Sequence, residues 1–433
     1  MLAGFSSGVL SCAATYPPSN CIPGQAYTAV PKGVFKYPYF TEWSAALQHE
    51  FRTNWLATVQ YVGTKATDLP YFENVNGYQT VCQGCFAPLL YSPASRGPDG
   101  RFGYVAQYWS GANSSYNGLQ ASLQKRLSHG LTFRVNYTWS HCIDTNSNEG
   151  AVAGAAFDSQ STFASPPGRL FELRGNCDYD VRHSLNASYV YQLPSPASNR
   201  FLKQILNGWQ VSGDVFLRTG FPFSVYSSYY SANGKGVFQG GAPNFAVPVI
   251  GVSPYARFAK LQPCGQANTN PTQACQSPGV AEIQWLNPNA FTSVVDPNTG
   301  SCTAGETFGS SGNVLSTNDN ASTCQFGAGG RNNVFGPGFV WTDIFVSKYF
   351  NISERVKFRF DAQFYNAFNH ANFNFPCVAV SLACFAGIPG VGSTLSDAYT
   401  ITSTVSPPTS LLGSGLGGDN SVRMIAVSGR IEF

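Results

Sequence analysis

Between residues 356 and 365 the chain alternates without a break: Val356, Phe358, Phe360, Ala362 and Phe364 take turns with Lys357, Arg359, Asp361, Gln363 and Tyr365. Successive side chains of a β-strand point to opposite faces, so this segment carries one apolar and one polar face. The same period of two recurs at 41–51, 54–64, 116–127, 131–140, 183–193, 208–218, 339–350, 355–365 and 423–433. In 131–140, Leu131, Phe133, Val135, Tyr137 and Trp139 oppose Thr132, Arg134, Asn136, Thr138 and Ser140. In 208–218, Trp209, Val211, Val215 and Leu217 oppose Gln210, Ser212, Asp214 and Arg218.

The nine segments predict strands of 10 to 12 residues. Strands of soluble proteins average about 5–6 residues, whereas a tilted strand needs roughly 9–11 to cross a bilayer. The intervening stretches alternate between short ("RT", "SHG", "PSPASNRFLKQILN", "NISE") and long (65–115, 141–182, 219–338, 366–422). Transmembrane barrels show this rhythm of short periplasmic turns and long outer loops, and a soluble sandwich has no reason to adopt it. The expected fold is therefore all-β: a partial antiparallel transmembrane β-barrel of about nine long strands.

Composition agrees. Charged residues are 11 % of the chain and aromatics 14 %, with 44 Gly, 27 Pro and only 2 Met. Soluble proteins carry roughly 25 % charged residues. No stretch is apolar for long enough to form a transmembrane helix. A net charge of +3 is too small to argue for nucleic acid or an acidic membrane surface, and no nucleic-acid partner is expected.

Charge placement separates the two faces. On the apolar side Lys125 and Lys348 lie beside short turns and Arg423 opens the last strand, positions near an interface where a basic side chain reaches headgroups. The other side carries Arg126, Arg134, Asp214, Arg218, Asp343, Lys357, Arg359, Asp361, Arg430 and Glu432, the expected lining of a polar lumen. Phe faces lipid in this reading, and charge faces water inside the barrel.

Several stretches carry a family resemblance: "YFTEWSAALQHEF…NWLATVQYVGTKATDLP", "YNGLQASLQKRLSHGLTFRVNYTWSHCID", "DVRHSLNASYVYQLP", "NGWQVSGDVFLRTGFPFSV" and "GRNNVFGPGFVWTDIFVSKYFNISERVKFRFDAQFYNAFNHANF", with a terminal Phe. From about residue 38 to 433 the chain resembles TonB-dependent outer-membrane receptors of the Oar-like type. The resemblance implies a 22-stranded barrel with an N-terminal plug, and uptake of a small solute powered through the TonB complex. Against that pattern this chain is expected to be the C-terminal part of such a receptor, from a gene fragment or an internal start. Residues 1–38 then read as the remnant of an outer loop, and 39–433 as the C-terminal part of the barrel, with the plug and earlier strands absent. Phe433, ending "RMIAVSGRIEF", resembles the signal read by the barrel-assembly machinery.

Other motifs carry no chemistry. "GSGLGG" (413–418) fits a dinucleotide fingerprint but has no strand–helix unit around it. "GSSGN" (309–313) lacks the second glycine of a nucleophile elbow. His141, Cys142 and Asp144 read as hydrogen-bonding residues at a loop root. The "CQGC" of 82–85 has no second pair to complete a zinc site. No enzyme activity, cofactor or metal is expected.

The 12 cysteines fall in the long connections as neighbours: Cys12 with Cys21, Cys82 with Cys85, Cys142 with Cys177, Cys264 with Cys275, Cys302 with Cys324, and Cys377 with Cys384. An even count on one side of a membrane points to disulfides made in an oxidising compartment. Partners within one loop are favoured by short closure distance, although connectivity is not fixed by sequence. The functional expectation is an outer-membrane receptor that takes up an oligosaccharide or a metal chelate. Aromatic loop residues such as Tyr226, Tyr229, Tyr230, Tyr255 and Trp285 suit stacking on such a solute, and ordinary loop packing explains them equally. The alternative is a secreted or surface all-β binding module, an adhesin or a carbohydrate-binding protein.

Overall fold

Long strands of period two must pair before they can hide their backbone groups, and here each pairs with its neighbours in the chain. The computed structural model describes residues 36–74, 105–147, 174–197, 199–227, 251–259, 283–287, 331–353, 356–373 and 422–432, with short strand pieces elsewhere. Among the described residues nine long strands form one sheet: β1 (Tyr39–Arg52), β2 (Trp55–Asn74), β3 (Val105–Ser128), β4 (Leu131–Asp144), β5 (His183–Gln192), β6 (Trp209–Arg218), β7 (Phe339–Asn351), β8 (Lys357–Tyr365) and β9 (Met424–Glu432). Their spatial order is their chain order, and every pairing along this path is antiparallel. A short strand at Tyr27–Ala29 adds a parallel pairing to β3. No helix among the described residues is long and apolar enough to cross a membrane, which says nothing against crossing by strands.

Register converts the sequence alternation into two continuous faces. One row runs Trp55, Lys125, Phe133, Tyr189, and the next-but-one row Ala57, Leu123, Val135, Ala187, Val215. On β7 to β9 the same face carries Val346, Ala362 and Val427 in one row, and Phe350, Phe358 and Ile431 in another. Trp43, Leu47, Val59, Tyr61, Leu119, Tyr137, Trp139, Phe360, Ile425, Val427 and Ile431, all on this face, are exposed. That area far exceeds the apolar patch a monomeric soluble protein leaves in water. A one-residue slip would turn the whole set to the other side, so burial in lipid fixes the register. Val135→Arg, at mid-strand on this face, should cost about 2–4 kcal/mol of stability in a bilayer. Asn136→Arg, on the opposite face, should leave denaturant unfolding in vesicles unchanged.

The short connections lie at one end of the sheet and the long ones at the other. β3 and β4 join through His129 and Gly130, with φ of 51° and 76°. Both central residues at positive φ match the twist of a tight hairpin. A Cβ on Gly130 would sit 2.4 Å from the Gln192 carbonyl oxygen, so only glycine fits.

Three features depart from the sequence reading. The span 65–115 is not all loop, because β2 runs on to Asn74 and β3 begins at Val105. That extension is broken by register shifts at Ala66, Leu69 and Pro70, and by Asp68 at a φ of 54°. "PSPASNRFLKQILN" is not a plain connection, since it holds a helix, α1 (Arg200–Leu206), capped by the Asn199 side chain on the Phe201 amide. Lys125 and Lys348 do not reach for headgroups. Lys125 donates to the Ser128 and Leu131 carbonyls and the Ser128 hydroxyl at 2.7–2.8 Å. Lys348 donates to the Asn207 carbonyl and lies over the Trp209 and Phe350 rings. Both lysines are buried, and backbone carbonyls beside the turns take their hydrogen bonds.

Candidate functional site

The polar face of the sheet is assembled by the same register. Gln124, Arg134, Ser188, Asp214 and Asp343 form one row across five strands, and Gln192, Gln210, Ser347, Asp361 and Ser428 another. Arg359 pairs across from Arg430, Lys357 from Glu432, and Arg218 from Phe339. With Arg126 two positions beyond Gln124, all ten lining positions read from the sequence share this face.

They are not equivalent. Arg126, Arg134, Asp214, Lys357 and Arg430 are exposed, and Arg134 donates to the Gln124 side chain at 3.0 Å. Asp361 is buried among three donors: the Ser347 hydroxyl at 2.5 Å, Arg359 Nε at 2.7 Å and the Ser428 hydroxyl at 3.5 Å. Asp343 accepts from the Asn366 amide at 2.9 Å and so holds the chain as it leaves β8.

This face is also more aromatic than the sequence reading implied. Phe339, Trp341, Phe345 and Tyr349 alternate with Val340, Thr342, Ile344, Val346 and Lys348, and it is the latter set that lies on the apolar side. Phe339 stacks with Trp341 at 6.2 Å, and the Arg218 guanidinium lies 4.1 Å from the Phe221 ring centroid and 5.5 Å from that of Phe339. Tyr349 likewise meets Arg359 at 5.5 Å. Rings under guanidinium groups hold the arginines by cation–π attraction.

Above the strands, at the long-loop end, a buried polar cluster ties three loop roots together. Cys142, near the end of β4, is joined by a disulfide to Cys177, with Cα atoms 5.3 Å apart. The Cys177 amide donates to the Cys142 carbonyl at 3.0 Å, and the Cys142 amide to the Asp180 carboxylate at 2.7 Å. Arg331, preceding β7, enters between the Asp144 and Asp178 carboxylates. Its guanidinium also donates to the Ser147 hydroxyl at 3.0 Å and to the Asp144 carbonyl at 2.9 Å.

Asn332 completes the tie: its amide group donates to Asp178 at 2.6 Å and to the Asn176 carbonyl at 2.7 Å. Its backbone N–H donates to the Ser224 hydroxyl at 3.0 Å, which brings in the segment after β6. His141 shares a hydrogen bond of 2.9 Å with Asn176 at the loop root. Arg331, Asp144, Asp178, Asp180 and Asn332 are each buried to 2 % exposure or less. Burial pulls the Arg331 guanidinium down to about 9. That value is still above neutral pH, so the guanidinium stays charged between the two carboxylates.

An apolar cluster of Phe223, Val225, Trp285, Leu286 and Val334 sits beside this tie, with Tyr255 and Phe373 packed against it. Trp285 donates to the Phe335 carbonyl at 2.9 Å and meets Tyr255 edge-on at 6.0 Å, while the Phe335 amide donates to the Tyr255 hydroxyl. These two rings therefore pack the loop base and are not open platforms for a solute. The side chains of Tyr226, Tyr229 and Tyr230 lie outside the described residues, as do Phe433 and the side chains of Cys12, Cys21, Cys82, Cys85, Cys264, Cys275, Cys302, Cys324, Cys377 and Cys384. Of "CQGC", only the backbone of Cys82 and Cys85 is described, and the two are partners in an antiparallel pairing.

Arg331, Asp178, Asp180, Ser147 and Asn332 escaped the sequence reading. For Asp178 and Asp180 the signal was "NCDYDVR", two acids directly after a cysteine in a chain poor in charge. No cluster of His, Cys, Asp and Glu among the described residues could hold a metal ion.

A family model described as "Outer membrane beta barrel domain" matches residues 3–407. No curated protein matches the sequence. Among solved structures, the FrpB iron transporter from Neisseria meningitidis (F3-3 variant) is similar at 10 % identity and a TM-score of 0.29, covering 79 % of this chain and 29 % of that one. The outer membrane transporter YddB from Escherichia coli is similar at 7 % identity and a TM-score of 0.35, covering 81 % and 31 %. The chain thus spans about a third or less of the length of these transporters.

Proposed function

Because the chain belongs to the outer membrane β-barrel domain family, we propose that it forms part of the wall of a TonB-dependent uptake receptor of the Oar-like type. The observation that carries this reading is the two-faced sheet: a face of ten charged positions backed by an apolar face of exposed side chains. A secreted binding module would have to cover that apolar face. The solute is an oligosaccharide or a metal chelate, admitted along the charged face and selected by the long loops. Residues 39–433 then correspond to the C-terminal part of the barrel and 1–38 to an outer loop, with the plug that engages the TonB complex supplied by chain outside this sequence. Its role is binding and passage, not catalysis.

Accumulation of labelled iron chelates and oligosaccharides by cells carrying the whole receptor tests this directly. Uptake of at least one class should stop when the TonB complex is removed; uptake that persists without it contradicts the reading. Two further expectations follow from the same topology. Protease added to whole cells should cut tags placed in residues 270–320 but not tags in the 129–130 turn, and the reverse would invert the orientation. Deleting Phe433 should lower outer-membrane insertion through the barrel-assembly machinery while synthesis stays constant, and unchanged surface levels would remove that role.

A further inference from the structure

The helix α1 (Arg200–Leu206) between β5 and β6 leaves much of its apolar side uncovered by the described residues. Phe201, Leu202, Ile205 and Leu206 are 72 %, 45 %, 49 % and 47 % exposed. Spacings of three and four put these four on a single stripe, while Lys203 and Gln204 fall on the other side. A helix of seven residues does not hold itself together in water, where isolated helices below roughly 12–15 residues are marginal. Something must cover the stripe.

Its position identifies what. The Trp209 indole N–H donates to the Ile205 carbonyl at 2.8 Å, and Lys348 donates to the Asn207 carbonyl and lies over the Trp209 ring. Trp209 and Lys348 pair across β6 and β7 on the apolar face of the sheet. The helix is therefore hung on the outside of the wall, at the short-turn edge of the lipid-facing band. Neighbouring hairpins carry the exposed apolar residues Leu127 and Ile352 at the same end. Apolar exposure is thus continuous from the band onto the helix, with a Trp at the junction, the residue enriched where acyl chains meet headgroups. On the far side, exposed Lys203 provides a cation for phosphate groups.

We propose that α1 is an in-plane membrane helix: its Phe201, Leu202, Ile205 and Leu206 stripe is immersed in the phospholipid leaflet on the short-turn side. The helix then anchors the β5–β6 connection and fixes how deep that edge of the sheet sits. The ligand class is phospholipid acyl chain, with anionic headgroups beside Lys203.

The test places benzoylphenylalanine singly at 201, 202, 203, 204, 205 and 206 in the full chain, folded into vesicles of phosphatidylethanolamine and phosphatidylglycerol. Adducts are counted only in the heat-modifiable, folded band. Positions 201, 202, 205 and 206 should give lipid adducts several-fold above 203 and 204. Equal labelling at all six, protein adducts in place of lipid, or no lipid adduct at the four apolar positions would overturn the proposal. A second measurement needs no substitution. In the same vesicles the amides of 202–206 should exchange several-fold more slowly than those of the 352–353 turn, and equal exchange would likewise overturn it.

Discussion

Replacing Arg331 by Ala should weaken the closure of the loop roots by about 3–5 kcal/mol, the usual consequence of removing one member of a buried ion group. Asp144 and Asp178 would be left facing each other's charge without the guanidinium that now joins them. Their carboxylates are all but fully buried, so water cannot readily take its place. Hydrogen exchange should report the loss at 174–182 and 221–225, the segments tied through Asp178, Asn332 and Ser224. The strands should be spared, because their stability comes from pairing and from lipid, so the heat-modifiable gel shift should persist. Arg331→Lys should fall between the two, since a point charge cannot serve both carboxylates in the planar fork that a guanidinium offers. Unchanged exchange in Arg331→Ala would mean that the cluster does not hold the loops.

Reduction of the Cys142–Cys177 disulfide should have a comparable effect on the same region. The bridge spans 35 residues, and closing a ring of that size contributes on the order of 3–4 kcal/mol in the chain-entropy treatment. Cys142→Ser with Cys177→Ser should therefore raise protease sensitivity between residues 148 and 174 and leave strand pairing intact. Non-reducing peptide mapping checks the linkage: Cys142 joined to any cysteine but Cys177 would contradict it. Because Asp180 also receives the Cys142 amide, the disulfide and the Arg331 cluster brace the same root. Losing both should cost less than the sum of the two, as expected for sites that share partners.

All nine strands were legible in the sequence, and the reason is physical. A wall with lipid on one side and water on the other forces side chains to alternate for as long as it crosses the membrane. Where β2 and β3 continue past Lys65 and Ser115, shifts in register at Ala66, Leu69 and Pro70 break the alternation, so the pattern fades although the backbone pairing continues. On β7 the alternation is plain in the sequence, but the chemistry of its polar face is not. Phe339, Trp341 and Phe345 sit on the polar side because arginines and neighbouring rings cover them. The helix α1 is too short for a helical period to emerge, though Asn199 before an apolar run was a readable cap.

The loop-root cluster shows a different limit. Arg331 meets Asp144 across 187 positions of the chain, and nothing local to either residue marks the other. The cysteine pair nearest that root was recoverable because β4 and the segment before β5 must come together once the strands pair. Tyr255 and Trp285 illustrate the converse. Their type suited a solute, and their packing beside Phe223 and Val334 shows what they do in the fold.

A membrane-spanning wall requires the two faces of the sheet to meet different solvents. A genetically encoded nitroxide placed singly at 131 to 140 in vesicle-embedded chain measures this, by collision with oxygen, which concentrates in lipid, and with a water-soluble nickel chelate. Residues 131, 133, 135, 137 and 139 should favour oxygen, and 132, 134, 136, 138 and 140 the chelate, in strict alternation along β4. Equal access of the chelate to both sets would contradict a membrane-spanning wall.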